Sequence, residues 1–287
     1  MAIIEFRFPT YMTSAPFGLA AHWILESAAY AVGFWLYHRE RRNAGDFLSS
    51  STRLTVVTAA IVGAAIGSKV LSWLEDPAAL LASPHPLNYV GNYLASGRTI
   101  VGGLLGGTLA VEWIKWKTGV KRRTGDLFAL PLTLAIAIGR IGCFLGGLTD
   151  HTYGFQTSLP WGVDFGDGIT RHPTQVYELL FMVLLAVWIK HVKSIPHREG
   201  DLFRTFLVSY LAFRFAVDFI KPDARFAGLT AIQWCCAIGI LTYWRDIPHL
   251  LNPSQGVQTW VIGSGPTSSM TQQHPSAPSA TGAPTQK

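Results

Sequence analysis

Arg140 and Arg214 stand inside long apolar runs, as does Lys69. A Lys or Arg at the centre of a membrane helix costs roughly 2.5–3.5 kcal/mol on insertion scales, so such residues face a bundle interior, a counter-charge or a polar cavity. The acidic candidates in comparable runs are Glu26, Glu178 and Asp218. Tyr210, Arg214 and Asp218 recur at i, i+4 and i+8, which places them on one helix face, and His22 and Glu26 share the i, i+4 spacing. A guanidinium pairs bidentately with phosphate, and a phosphate ester embedded in a membrane belongs to a phospholipid. The favoured reading is therefore a lipid-handling site. The competing one is an Arg214–Asp218 ion pair that only fixes helix packing.

Glycines surround Arg140: Gly139, Gly142, Gly146 and Gly147. Small residues let helices approach closely and let a ligand come near the backbone. A packing seam explains these glycines but leaves the arginine unexplained. The run Thr99–Gly107, with Gly102 and Gly103 near its start, carries the same signal. In Arg171-His172-Pro173-Thr174-Gln175-Val176-Tyr177-Glu178, Pro173 suits the first turn of a helix. Gln175 and Glu178 then project inward about one turn further on. His172 is more often a capping or interfacial histidine than a catalyst, although its titration range suits proton transfer.

The elements that must position these groups are membrane helices. Of the 287 residues 49% are hydrophobic and only 14% charged, against about a quarter charged in soluble domains. Mean hydropathy is +0.28. A hydrocarbon core of about 30 Å needs roughly 20 apolar residues per helix. Seven segments qualify, at about 16–37, 54–74, 99–117, 125–147, 174–192, 202–220 and 229–245. The fold expected is an all-α integral membrane protein, a seven-transmembrane-helix bundle.

The net charge of +6 does not point to nucleic acid, because the basic residues cluster in short loops between spans. Arg39, Arg41, Arg42 and Arg53 follow span one. Lys115, Lys117, Lys121, Arg122 and Arg123 follow span three, and Lys190, Lys193, Arg198 and Arg204 follow span five. Of the intervening loops, 75–98 carries only Arg98 and 148–173 only Arg171. The positive-inside rule then predicts an outside N-terminus and a cytoplasmic C-terminus.

Residues 1–15 read as an extracytoplasmic arm, 16–245 as the membrane domain and 246–287 as a disordered cytoplasmic tail, since Pro, Ser, Thr, Gln and Gly dominate from Asn252 onward. Three cysteines, Cys143, Cys235 and Cys236, lie in apolar runs and read as free thiols. CxxC, HExxH, GxGxxG and P-loop motifs are absent, and no metal or organic cofactor is expected.

Four stretches together resemble the bacterial prolipoprotein diacylglyceryl transferase family. Residues 139–144, GRIGCF, are similar to its GRIGNF signature, and residues 171–178, RHPTQVYE, to its RHPTQLYE segment. Residues 210–233 resemble its Y-G-x-x-R-F-x-x-E-F-x-R-x-P-D-A segment with the Gln-bearing last span, and residues 60–70 its AxxGxxxGAR stretch. The resemblance covers about residues 15–245, in order. It implies seven spans in the bacterial inner membrane and transfer of diacylglyceryl from phosphatidylglycerol to the lipobox cysteine of a prolipoprotein signal peptide. The products are a thioether and glycerol phosphate.

The resemblance also implies essential roles for Arg140 and Arg214 and matches Tyr210 to a tyrosine one turn before the latter; these three and His172 are the candidate catalytic residues. Substrate binding falls to Arg140, Gly102, Gly103, Gln175, Glu178, Asp218 and Lys69. The third span departs from the pattern, because Val101 stands where the family has the histidine of its His-Gly-Gly motif. Cys143 replaces the signature asparagine, and Gly146-Gly147-Leu148 replaces Asn-Gly-Glu. His151, Asp150, His172 or an arginine-assisted water is then left to take the thiol proton. The alternatives are a relative that binds phospholipid without catalysis or uses another acceptor and, with least support, a transporter.

Overall fold

A computed structural model describes residues 6–7, 15–44, 48–75 and 99–251. Its long helices are α1 (Ala15–Ala44), α2 (Ser50–Leu74), α3 (Ile100–Thr118), α4 (Asp126–Gly146), α5 (Thr174–Ser194), α6 (Asp201–Val217) and α7 (Ala231–Thr242), followed by the short α8 (Ile247–Leu251). They coincide with the seven apolar segments of the sequence. Ser50–Leu74, Asp126–Asp150 and Thr174–Ser194 are long and apolar enough to cross a membrane, and Ala231–Thr242 is a shorter apolar helix.

Local chemistry sets the ends. The Ser49 and Thr99 side chains accept from the backbone N–H groups of Thr52 and Gly102 and so cap α2 and α3. Gly119, at φ 71°, closes α3 in a left-handed turn. A reciprocal Thr230–Gln233 capping box starts α7 at Ala231. This helix is shorter than the expected 229–245. Conversely, α1 runs on to Ala44 through Arg39, Arg41 and Arg42, beyond the expected end near 37.

The helices pair as α2 with α3, α1 with α4, α4 with α5 and α6 with α7. The main core lies between α4, α5 and α6, with Ala129, Met182, Ile189, Phe206, Leu207 and Leu211 buried. Outward faces remain apolar: Ile24 and Phe34 on α1, Ile61 and Ile66 on α2, Leu184 and Val187 on α5 and Ile238 on α7 are exposed. Such surfaces suit lipid as solvent.

At one end the basic loops are tied together. Arg122 pairs with Glu199 and Lys193 with Glu40, while Asp126 accepts from the N–H groups of Gly200 and Phe203. Residues Ile247–Leu251, read from sequence as part of the tail, are helical instead. Burial of Leu250 and the His249 Nε2–Asp201 Oδ2 contact of 2.8 Å hold them to α6. The rest of the expected tail, from residue 252, and most of the N-terminal arm lie outside the described residues.

At the opposite end the segment between α4 and α5 folds over the bundle. It carries a 3-10 turn (Gly147–Asp150) and the strands β2 (Val163–Asp164) and β3 (Thr170–Arg171), which are antiparallel; β1 (Phe6–Arg7) pairs parallel with β2. Val163 and Phe165 form a second small core with Phe144, Leu145, Leu148 and Tyr153. The segment is stitched down where Phe155 N–H donates to Ile220 O and Gly154 N–H to His172 O.

Candidate active site

Glu178, one turn into α5, is the centre of the site. Its Oε1 lies 2.8 Å from Arg140 Nε on α4 and accepts from Tyr210 OH on α6 at 2.8 Å. Its Oε2 accepts from Arg214 Nη1 on α6 at 3.3 Å. The Arg140 Nε contact is an ion pair by distance and not an aligned hydrogen bond. Arg214 Nη2 donates to Asp218 Oδ1 at 2.9 Å, and Asp218 Oδ2 accepts from Thr230 Oγ1 at 2.8 Å. Thr230 is in turn fixed by the capping box of α7, and Gln233 Nε2 donates to Phe215 O. One carboxylate thus holds two guanidiniums on neighbouring helices, and a second carboxylate orients the latter of them. All five of Arg140, Glu178, Tyr210, Arg214 and Asp218 are buried.

The pairing does not exhaust the donors. Arg214 Nε is buried without a hydrogen-bond partner among the described residues, and so are both side-chain atoms of Gln175, which is 1% exposed and three residues before Glu178. Unmet polar atoms of this kind are costly unless a ligand or water satisfies them. Just beyond the last turn of α6, Lys221 is 8% exposed. Burial, then the nearby Arg214 and Arg140, bring its amine down to about 8. Glu75, at the end of α2, lies within electrostatic reach of Lys221 and Arg214; burial and then Asp223 push its carboxyl up to about 7.

The remaining sequence candidates are placed differently. His172 Nδ1 lies 3.1 Å from Tyr177 OH, which accepts from Trp161 Nε1 at 2.8 Å. Both side chains line an apolar groove of about 680 Å³ with Leu159, Val176 and Ile220. Gly102 and Gly103 face α2: a Cβ on Gly102 would fall 2.3 Å from Gly67 O, and one on Gly103 would meet Ala64 and Ser68. Their smallness serves the approach of two helices. Lys69 is half-buried on α2, and Val101 is 1% exposed within the core.

Sequence reasoning missed Lys221 and Glu75. Lys221 was legible as a cation three residues beyond Asp218. Glu75 gave no signal, because its neighbours come from distant parts of the chain.

The sequence profile of the family described as prolipoprotein diacylglyceryl transferase matches residues 9–244. The phosphatidylglycerol–prolipoprotein diacylglyceryl transferase of Bordetella parapertussis is 32% identical over 244 residues, which are 81% of this chain and 88% of the relative. The enzyme of the same name from Nitratidesulfovibrio vulgaris is 29% identical, covering 79% and 86%. That from Solidesulfovibrio magneticus is 35% identical, covering 71% and 79%. Four helices converge their polar residues on one buried cluster, and the matched region spans every residue of that cluster, so the chain belongs to the prolipoprotein diacylglyceryl transferase family.

Proposed function

We propose that this protein transfers the diacylglyceryl group of phosphatidylglycerol to a cysteine thiol of prolipoproteins. It does so as a multi-pass protein of the bacterial inner membrane with seven spans, its N-terminus outside and its C-terminus cytoplasmic. The observation that carries the reading is the buried Arg140–Glu178–Arg214 bridge with unmet donors beside it. When a thiolate attacks the glycerol carbon, the sulfur–carbon bond forms, the carbon–oxygen bond breaks, and the electron pair leaves on the phosphate oxygen as glycerol phosphate. Arg140 and Arg214 hold that phosphate and meet the growing charge with donors already in place. Gln175 adds its amide to the same headgroup.

Glu178 and Asp218 are positioning residues, as is Tyr210, whose hydroxyl is engaged with Glu178. His172 stands at the groove, whose apolar lining suits an acyl chain.

A second reading, phospholipid binding without turnover, is favoured by one observation, the buried Val101 in place of the family's histidine. The deciding experiment uses purified protein in phosphatidylglycerol micelles with a lipobox peptide, followed by mass spectrometry. Wild type gains one diacylglyceryl unit on the peptide and Arg140→Gln does not. Equal gain in both would remove Arg140 from the mechanism, and bound lipid without any gain would select the second reading.

A further inference from the structure

Where α1 meets the end of α4, three side chains with metal-binding atoms converge. His22 Nδ1, Cys143 Sγ and a carboxylate oxygen of Asp150 all lie within 4.8 Å of one another. His22 Nδ1 is 3.3 Å from Asp150 Oδ1, and it is buried with no hydrogen-bond partner among the described residues. Two ligands on a tetrahedral zinc with bonds of about 2.0–2.1 Å are about 3.3 Å apart, so the nitrogen–oxygen pair already has that spacing.

The groups behind these three atoms are the ones a metal site needs. His22 Nε2 lies 3.7 Å from Glu26 Oε2, beyond hydrogen-bond distance but near enough for that carboxylate to become an outer partner of the ring nitrogen that would not bind metal. Asp150 Oδ2 accepts from Thr152 Oγ1, which leaves Oδ1 toward His22. Gly142 and Gly146 make the corner possible: a Cβ on Gly142 would crowd Leu25 at 3.1 Å, and one on Gly146 would crowd Asp150 Cβ at 3.2 Å.

The corner adjoins the phosphate site directly, because Arg140 Nη1 lies 3.5 Å from Cys143 Sγ. With a thiolate, a carboxylate and a neutral imidazole, a divalent ion leaves the corner neutral. Three protein ligands leave a fourth position on zinc open, the pattern of a site that takes a reactant.

We propose that His22, Cys143 and Asp150 bind a zinc ion whose open position takes the substrate thiol. This rests on the transferase reading, and it supplies what Val101 cannot. A thiol that coordinates zinc is deprotonated outright, its proton passing to water at the partly exposed His22. The bound sulfur then forms its bond to the glycerol carbon, and the pair of the breaking carbon–oxygen bond goes to the phosphate oxygen held at Arg140.

The test uses full-length protein with any affinity tag removed. Metal analysis should find about one zinc per chain in wild type and almost none in Cys143→Asn or Asp150→Asn, whose folding is checked by thermal unfolding. The cobalt form of wild type should show a sulfur-to-cobalt charge-transfer band that shifts on adding a lipobox cysteine peptide and not its serine counterpart; this measurement needs no variant to fold. Zinc at background in wild type, or a band blind to the cysteine peptide, overturns the proposal. Turnover without bound metal overturns it too and leaves the transferase standing. A thiol-responsive cobalt band without turnover supports the metal site and sinks the transferase reading.

Discussion

The two glycine-rich runs, 99–107 on α3 and 139–147 on α4, are alike in composition and unlike in what their glycines face. On α3, Gly102 and Gly106 interlock with Gly67 and Gly63 of α2. A Cβ on Gly106 would lie 2.4 Å from Gly63 O and 2.8 Å from Gly67 Cα, so backbone meets backbone. On α4, a Cβ on Gly139 would meet nothing within 4 Å, and Gly142 and Gly146 stand against side chains and backbone of α1 and against Asp150. The first run interlocks two helix backbones, whereas the second packs more loosely on α1 and leaves Gly139 facing open space. Glycine in a membrane helix therefore has to be read with its neighbours. Arg140 among the second set is what marks a site, and Val101 beside the first set is what marks a seam.

Arg214→Lys tests the contrast most severely. An ammonium keeps the charge but cannot span Glu178 and Asp218 in a planar fork and still present a donor to phosphate. Transfer per folded molecule should fall on the order of 10²–10³-fold, measured as initial rate of peptide modification. A rate within about threefold of wild type would make the α4–α6 cluster a packing device like the α2–α3 seam.

Gly106→Val probes the seam from the other side. Overpacking of a tight interface costs typically about 1–3 kcal/mol, so the variant should unfold at lower temperature while its rate per folded molecule stays that of wild type. A seam variant that folds normally and turns over slowly would erase the distinction.

How far the sequence reveals all this depends on the range of the interaction. The Tyr210–Arg214–Asp218 face is legible because helical spacing dictates it, and the structure keeps it in the Arg214–Asp218 pair. The inward turn of Gln175 and Glu178 is legible for the same reason, since Pro173 sets where α5 starts. That Glu178 holds both arginines at once is not, because Arg140 and Arg214 reach it from different helices. The corner of His22, Cys143 and Asp150 is equally hidden: its members match no short metal motif and meet only through the packing of α1 on α4. The roles of Gly102 and Gly103 were ambiguous because composition does not state which helix a glycine faces. The positions of the long helices were legible from the apolar segments, three of them long and apolar enough to cross a membrane, and the short α7 departs from its segment because a capping box, not hydropathy, decides its first turn.

The contrast also has an electrostatic side, smaller in effect. Arg140 and Arg214 against Glu178 and Asp218 sum to zero charge, so a phosphodiester arriving there needs a further cation. Lys221 is placed to supply it, within electrostatic reach of Arg214, Arg140, Asp218 and Asp223, and Glu75 is itself within reach of Lys221. Its amine is charged below about 8 and loses that charge above it, while Glu75, neutral below about 7, gains a negative charge above that value. Both changes remove positive potential as pH rises, and a bound phosphate, which favours both protonated forms, moves both transitions upward. Phosphatidylglycerol retained by the purified protein should therefore fall on the order of three- to tenfold between about pH 6 and pH 9, the size expected for one or two charges at moderate effective dielectric. Lys221→Arg, which cannot deprotonate in this range, should remove the upper part of the fall, and Glu75→Gln the lower part. A wild-type profile that is flat across both values would place the phosphate out of reach of Lys221 and leave the arginine pair to hold it alone.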